Sequence, residues 1–208
     1  ISECIKNIRG KLIHFSTDFV FDGNNSVPYL PDNKTNPLSK YGKSKAKGEK
    51  YILNNKNCHI IRTSWLYGDC RDNFCLTMLK LHKNKSLKQE SLKVINDQIG
   101  VPTSTFSLTK MTWKLIENLY NSKNLPSIFH WTDAGVASWY DFAVAIGELG
   151  VENGVIDKSA NVIPIKSNEY NTSAKRPNYS VLDCRKTTEI LNIKQMHWRE
   201  ELRKVIKK

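Results

Sequence analysis

The sequence predicts an α/β protein, and three features carry that expectation. Short apolar runs of strand length alternate with stretches whose apolar residues recur at helical spacing, the pattern of a sheet covered by helices. The first such strand, Leu12-Ile13-His14-Phe15, leads directly to a hydroxyl residue, Thr17, and the carboxyl end of a strand is where open α/β sheets hold ligands. With 208 residues and 39% hydrophobic content, the chain can bury a sizeable core as one domain or two interleaved ones.

Taken in order, Ile1 to Arg9 reads as the end of a helix with Gly10 as its stop. Leu12 to Phe15 reads as a buried, interior strand with no earlier strand to pair with. A loop rich in Pro, Asn and Asp runs from Asp22 to Thr35, after which Pro37 opens a helix to the neighbourhood of Leu53. Cys58 to Arg62 is a second apolar strand, ending at Thr63-Ser64-Trp65. Asn73 to Lys83 is an amphipathic helix, and Leu92-Lys93-Val94-Ile95 a short strand followed by an extended turn at Gly100-Val101-Pro102-Thr103. Leu108 to Tyr120 is a helix with Met111, Leu115, Ile116 and Leu119 inward. Ile128 to Trp131 is a strand, Ser138 caps a helix ending near Leu149, and Val162 to Ile165 is a strand. Cys184 to Leu191 and Trp198 to Ile206 close the chain as helices. There is no internal repeat and no low-complexity segment.

Composition narrows the function. The formal net charge of +12 invites a nucleic-acid reading. The lysines are dispersed rather than gathered into one stripe, so no nucleic-acid partner is expected. No apolar run approaches the roughly 20 residues that cross a bilayer, so no membrane partner is expected either. The five cysteines, Cys4, Cys58, Cys70, Cys75 and Cys184, are odd in number and show no C-x-x-C spacing. Reduced thiols in a cytoplasmic protein are the default reading. Cys70, Cys75 and His82 have no second ligand pair at zinc spacing, and no metal is expected.

The chemistry is concentrated between Ser16 and Glu49. Tyr41 and Lys45 are four residues apart and share one helix face. A lysine ammonium held near a phenol favours the phenolate, which suits a phenol that trades a proton with a carbonyl oxygen. By itself a Tyr-x-x-x-Lys pair says little in a Lys-rich chain. Here it stands in a longer series: Ser16-Thr17-Asp18-Phe19-Val20-Phe21-Asp22-Gly23, Pro28-Tyr29, Asn36-Pro37, Tyr41-Gly42-Lys43-Ser44-Lys45 with Gly48-Glu49, and Arg62-Thr63-Ser64-Trp65-Leu66-Tyr67-Gly68. Further on come Asn96-Asp97-Gln98-Ile99-Gly100-Val101-Pro102-Thr103, Ala137-Ser138-Trp139-Tyr140-Asp141-Phe142-Ala143 and Arg176-Pro177-Asn178-Tyr179-Ser180-Val181-Leu182.

In this series the chain resembles the extended short-chain dehydrogenase/reductase family over nearly its whole length, in the branch that reduces nucleotide-linked 4-keto-6-deoxysugars. The resemblance implies the C-terminal part of a Rossmann-type doubly wound parallel sheet with a smaller α/β substrate-binding domain. Residues 1–68 and 106–131 would be the remainder of the dinucleotide-binding domain, and 69–105 and 132–208 the sugar-nucleotide domain. The implied reaction takes dTDP-4-dehydro-L-rhamnose to dTDP-L-rhamnose with NADPH or NADH, in a polysaccharide pathway, and leaves room for a homodimer. Tyr41 would be the proton donor, Lys45 would bind the nicotinamide ribose, and Thr17 would orient the ketone oxygen. Asp18 would hold sugar hydroxyls or serve only as a turn residue. Phe19 stands where the rhamnose reductases have Tyr, so any hydroxyl contact there is lost.

Trp65 would pack on the sugar ring or belong to the core. Asn96, Gln98 and Thr103 would meet the nucleotide, and Arg176 would pair with the diphosphate unless it is a plain surface arginine. Ser180 reads as structural. Thr105 stands where a metal-binding Glu of the rhamnose reductases would follow Pro102-Thr103, which again argues against a metal. The Gly-rich turn that anchors a cofactor pyrophosphate is missing from these residues, so the chain reads as a fragment that does not catalyse by itself. Two other functions compete. Another extended short-chain enzyme is one, although Phe19 in place of Glu after Asp18 argues against dehydration. A non-catalytic regulatory homologue is the other, opposed by the intact Thr17, Tyr41 and Lys45.

Overall fold

The computed structural model describes residues 1–8, 10–121, 124–170 and 174–207. In chain order the elements are α1 (Ser2–Asn7), β1 (Leu12–Thr17), α2 (Lys40–Leu53), β2 (Cys58–Thr63), β3 (Leu66–Tyr67), α3 (Phe74–Leu87), β4 (Leu92–Ile95), β5 (Ile99–Gly100), β6 (Thr103–Ser104), α4 (Thr105–Asn121), β7 (Ile128–His130), β8 (Ala137–Ser138), α5 (Trp139–Glu152), β9 (Val162–Ile165), α6 (Arg185–Leu191) and α7 (Trp198–Val205). A 3₁₀ turn, Asp18–Val20, follows β1 directly. The chain divides into two compact units: residues 1–64, 108–132 and 174–194, and residues 65–107, 133–173 and 195–208. Residues 174–194, expected with the substrate-binding part, therefore pack in the first unit.

The first unit is built on a parallel sheet in the order β1-β2-β7. Leu12 pairs with Cys58 and Thr17 with Thr63, while Ile60 pairs with Ile128 and Arg62 with His130. All six residues of β2 are buried, as a central parallel strand requires. Period-two alternation sorts the side chains onto the two faces of the sheet. Ile61 and Phe129, with half-buried Ile13, pack against Leu108, Met111, Leu115 and Leu119 of α4 and Leu191 of α6. On the other face, Cys58 and Ile60 pack with Ile52 of α2, joined by half-buried Ile5, Leu12 and Ile128. Helices on both faces of a parallel sheet make this unit doubly wound.

Three sequence expectations are corrected in this unit. The helix expected at Pro37 begins at Lys40, because the Ser39 hydroxyl accepts the N–H of Gly42 and caps it. Ile116 is only half-buried, since the α4 face that meets the sheet is set by 108, 111, 115 and 119. The Leu12–Phe15 run is not fully buried. Among the described residues β1 has a neighbour on one side only, so Leu12, Ile13 and His14 are half-buried and Phe15 is 44% exposed.

The second unit packs α3, α5 and α7 around Cys75, Met78, Phe142, Ile146, Leu149, Trp198 and Leu202. Its strand pairs are short: β4 with β9 and β3 with β6 run parallel, β5 with β8 antiparallel. Ser138 caps α5 as expected, in a reciprocal box with Asp141. His82 is wholly buried; its Nε2 lies 2.9 Å from the Ala143 carbonyl and its Nδ1 accepts the N–H of Ala160 at 3.2 Å. Both ring nitrogens are thus committed to backbone, and burial raises the Cys75 thiol to about 12. No helix among the described residues is long and apolar enough to cross a membrane.

Candidate functional site

In the first unit, four of the expected residues gather at the carboxyl end of β1. Thr17 closes the strand and caps the 3₁₀ turn, its Oγ1 accepting the N–H of Phe19 at 3.2 Å. The same hydroxyl donates to Asp18 Oδ1 at 3.0 Å. Asp18 is 2% exposed, and its Oδ2 has no hydrogen-bond partner among the described residues. Burial raises its carboxyl to about 7, against hydrogen bonds from Ser180, Thr17 and nearby backbone that favour the carboxylate. Ser180, read from the sequence as structural, is therefore buried against a candidate site residue. Its spacing from Arg176-Pro177 carried no sign of that partner.

Tyr41 stands in the first turn of α2, 56% exposed, its ring edge-on to Phe19 at 6.2 Å. The helix comes this close because residue 42 is glycine: a Cβ there would lie 2.2 Å from the Phe19 carbonyl oxygen. Lys45, one turn on, donates from Nζ to the Phe15 carbonyl at 2.6 Å and approaches His14 Nε2 at 3.5 Å. Its contacts thus go to β1. Burial, then Lys45, hold His14 below the usual histidine range. Arg176 is exposed, and no partner is seen for it among the described residues. The neighbouring Pro177 is pinned to the Asp22-Gly23 turn, where a Cβ on Gly23, at φ +82°, would fall 2.6 Å from Pro177 Cβ.

The remaining expected residues lie in the second unit. Trp65 adopts a left-handed backbone at φ +44° and stacks on Trp139 at 3.6 Å, with Gly100 hard against its ring. One indole face is therefore filled by protein. Asn96 donates its N–H to the Ile165 carbonyl at 3.0 Å, while its buried Oδ1 has no partner among the described residues. Gln98 donates to Ser167 Oγ at 3.1 Å. Thr103 is fully buried with its hydroxyl given to the Val101 carbonyl at 3.3 Å, so its side chain is committed to the fold. Among the described residues no three His, Cys, Asp or Glu side chains cluster as metal ligands would.

The model of the RmlD substrate binding domain matches residues 1–208, the whole chain. The chain belongs to this family. Among related proteins, the RmlD-domain chain is 40% identical over 201 residues to the spore coat polysaccharide biosynthesis protein SpsK of Bacillus subtilis, covering 96% of this chain and 65% of that protein. It is 32% identical to a dTDP-4-dehydrorhamnose reductase of Escherichia coli, covering 99% of this chain and 68% of that protein. A crystal structure of a dTDP-4-dehydrorhamnose reductase from Clostridium acetobutylicum superposes with a TM-score of 0.83 at 37% identity, covering 99% of this chain and 68% of that one. The corresponding Bacillus anthracis enzyme, crystallised with NADP, gives 0.83 at 31% identity, covering 98% and 67%. The RmlD-domain chain thus spans about two thirds of the length of the relatives it matches.

Proposed function

We propose that these residues form the proton-donating and sugar-binding part of an NAD(P)H-dependent dTDP-4-dehydrorhamnose reductase, acting in the cytoplasm on dTDP-4-dehydro-L-rhamnose. The observation that carries this reading is the convergence of Thr17, Tyr41 and Lys45 on the carboxyl end of one parallel strand. The names and lengths of the relatives, and five free thiols, agree with it.

These residues fit one end of a nicotinamide cofactor. Lys45 brings its ammonium to the strand end, where it donates to the Phe15 carbonyl, and Tyr41 presents an exposed phenol one turn earlier on the same helix face. The sequence holds no Gly-rich pyrophosphate turn, so they would hold the ribose and nicotinamide end alone. Such a cofactor supplies the hydride.

What the chain's own groups do follows from their hydrogen-bonding capacity. Negative charge develops on the ketone oxygen during reduction, and Tyr41 delivers the proton that neutralises it. Thr17 has one proton to give, and in the free protein Asp18 takes it. A protonated Asp18 donates to Thr17 instead of accepting, and the threonine proton is released toward the ketone. A carboxyl held at about 7 supplies that form at neutral pH.

Tyr41→Phe, in protein expressed from the whole reading frame, tests the reading. The phenol matters when charge develops on oxygen, so kcat should collapse while KM for the sugar nucleotide stays nearly unchanged. A variant keeping more than about a tenth of wild-type turnover removes Tyr41 as the acid.

A further inference from the structure

Proton transfer does not account for all the polar groups around the end of β1. Residues 12, 14 and 16 face α2. Ser16 is 5% exposed, and its hydroxyl donates to Glu49 Oε1 at 2.5 Å. Glu49 lies on α2 four residues beyond Lys45 and eight beyond Tyr41, so the three share one helix face. It is 2% exposed, and Arg62 of β2 grips it bidentately, Nε to Oε1 at 3.0 Å and Nη2 to Oε2 at 2.8 Å.

The arginine is held in turn. Its Nη1 donates to the Pro31 carbonyl at 3.0 Å and lies 3.3 Å from His130 Nε2, and its guanidinium sits 5.1 Å from the Phe21 ring centre. Burial, then Arg62, push His130 down to about 3, which leaves Nε2 a bare acceptor; its Nδ1 faces the Tyr29 carbonyl at 3.0 Å. A buried ion pair with every member satisfied is rigid, because any displacement strands a charge in a low-dielectric interior.

We propose that Ser16 and Glu49 are positioning residues for the reductase proposed above: the buried carboxylate, locked by Arg62, holds the Ser16 hydroxyl and so fixes Thr17, the next residue, in register with Tyr41 and Lys45 on the helix that carries Glu49. Two side-chain bonds tie the last residues of β1 to α2, Lys45 to Phe15 and Glu49 to Ser16. Lys45 is the side chain that would turn away to meet a cofactor hydroxyl. The Ser16–Glu49 bond is the tie that persists when it does.

Ser16→Ala is the informative variant, because it leaves Glu49 paired with Arg62 and strands no charge. In protein from the whole reading frame, kcat should fall roughly ten- to a hundredfold, the scale of a misplacement near 1 Å. KM should stay within about twofold and the melting temperature nearly constant. Ser16→Thr keeps the hydroxyl and should recover most of the lost turnover. An unchanged kcat in Ser16→Ala, or losses of melting temperature and KM that track the loss of kcat, would overturn the proposal. Should the wild-type protein be inert toward dTDP-4-dehydro-L-rhamnose, the reductase reading fails, and hydrogen exchange of the 208-residue chain decides the positioning claim separately. The Phe19 amide, bonded to Thr17 Oγ1, should exchange at least about tenfold faster in Ser16→Ala while Ile52 of α2 is unchanged. Equal Phe19 exchange overturns the claim.

Discussion

Two glycines on α2 offer a controlled test of how the helix is docked. A Cβ at Gly42 would lie 2.2 Å from the Phe19 carbonyl oxygen and 2.9 Å from Pro37 Cβ, whereas one at Gly48 would meet nothing within 4 Å. Restoring an ordinary 3.4 Å contact at Gly42 requires a shift of 1.2 Å, the difference between 3.4 and 2.2, and the obstacle is backbone that cannot swing aside. Both substitutions to alanine gain helix propensity, up to about 1 kcal/mol. Only Gly42→Ala also meets overpacking, typically about 1–3 kcal/mol. Gly48→Ala should therefore raise stability by about 0.5–1 kcal/mol, while Gly42→Ala falls below it by about 1–3 kcal/mol. For a chain of this size that separates the two melting temperatures by roughly 2–12 °C. Turnover should respond more sharply, because the shift moves Tyr41 relative to Thr17, and a 1 Å misplacement costs on the order of a hundredfold. Thermal melts of the two variants, with steady-state kinetics on the protein from its whole reading frame, make the comparison. Equal melting temperatures and equal kcat would show that α2 does not rest on the Phe19 carbonyl, and the account of its docking would be wrong.

Three further predictions concern charge and packing. Asp18 has its folded-state pKa raised to about 7 from 3.8, so the folded state binds the extra proton between those values. Wild type should accordingly lose stability relative to Asp18→Asn by about 1.4 kcal/mol per pH unit as pH rises from 4 to 7, and parallel urea-melt profiles would contradict the burial assigned to this carboxyl. Arg176→Ala should leave the melting temperature unchanged, since the side chain is exposed. It should weaken sugar-nucleotide binding roughly ten- to a hundredfold, which calorimetry reads directly, and undiminished affinity would remove Arg176 from the diphosphate site. Leu115→Ala should destabilise by about 2–5 kcal/mol and half-buried Ile116→Ala by clearly less; equal losses in denaturant melts would refute the helix face assigned here.

The order of elements was legible in the sequence because it rests on local rules, whereas Thr17, Tyr41 and Lys45 were singled out by the series of motifs in which they stand. Period-two and period-3.6 patterning marks strands and helices, and a Tyr and a Lys four apart must share a helix face wherever that helix goes. Ser138 was readable as a cap for the same reason, since its partner Asp141 is three residues away. What escaped the sequence lies between residues distant in the chain. The Ser16, Glu49 and Arg62 contact joins a strand, a helix and a second strand, and each residue alone looks like an ordinary polar side chain. Ser180 comes from 162 positions beyond Asp18 to favour its carboxylate. The partial exposure of Leu12 to Phe15 depends on how many strands flank β1, which an apolar run by itself cannot state. Trp65 and Thr103 have the composition of binding residues, yet a stacked Trp139 and complete burial commit them largely to packing. Local sequence therefore determined which elements form and which reactive groups one helix carries. Only the tertiary structure decided which buried charges meet and which side chains stay free, because burial and long-range pairing are properties of the packed chain rather than of any segment of it.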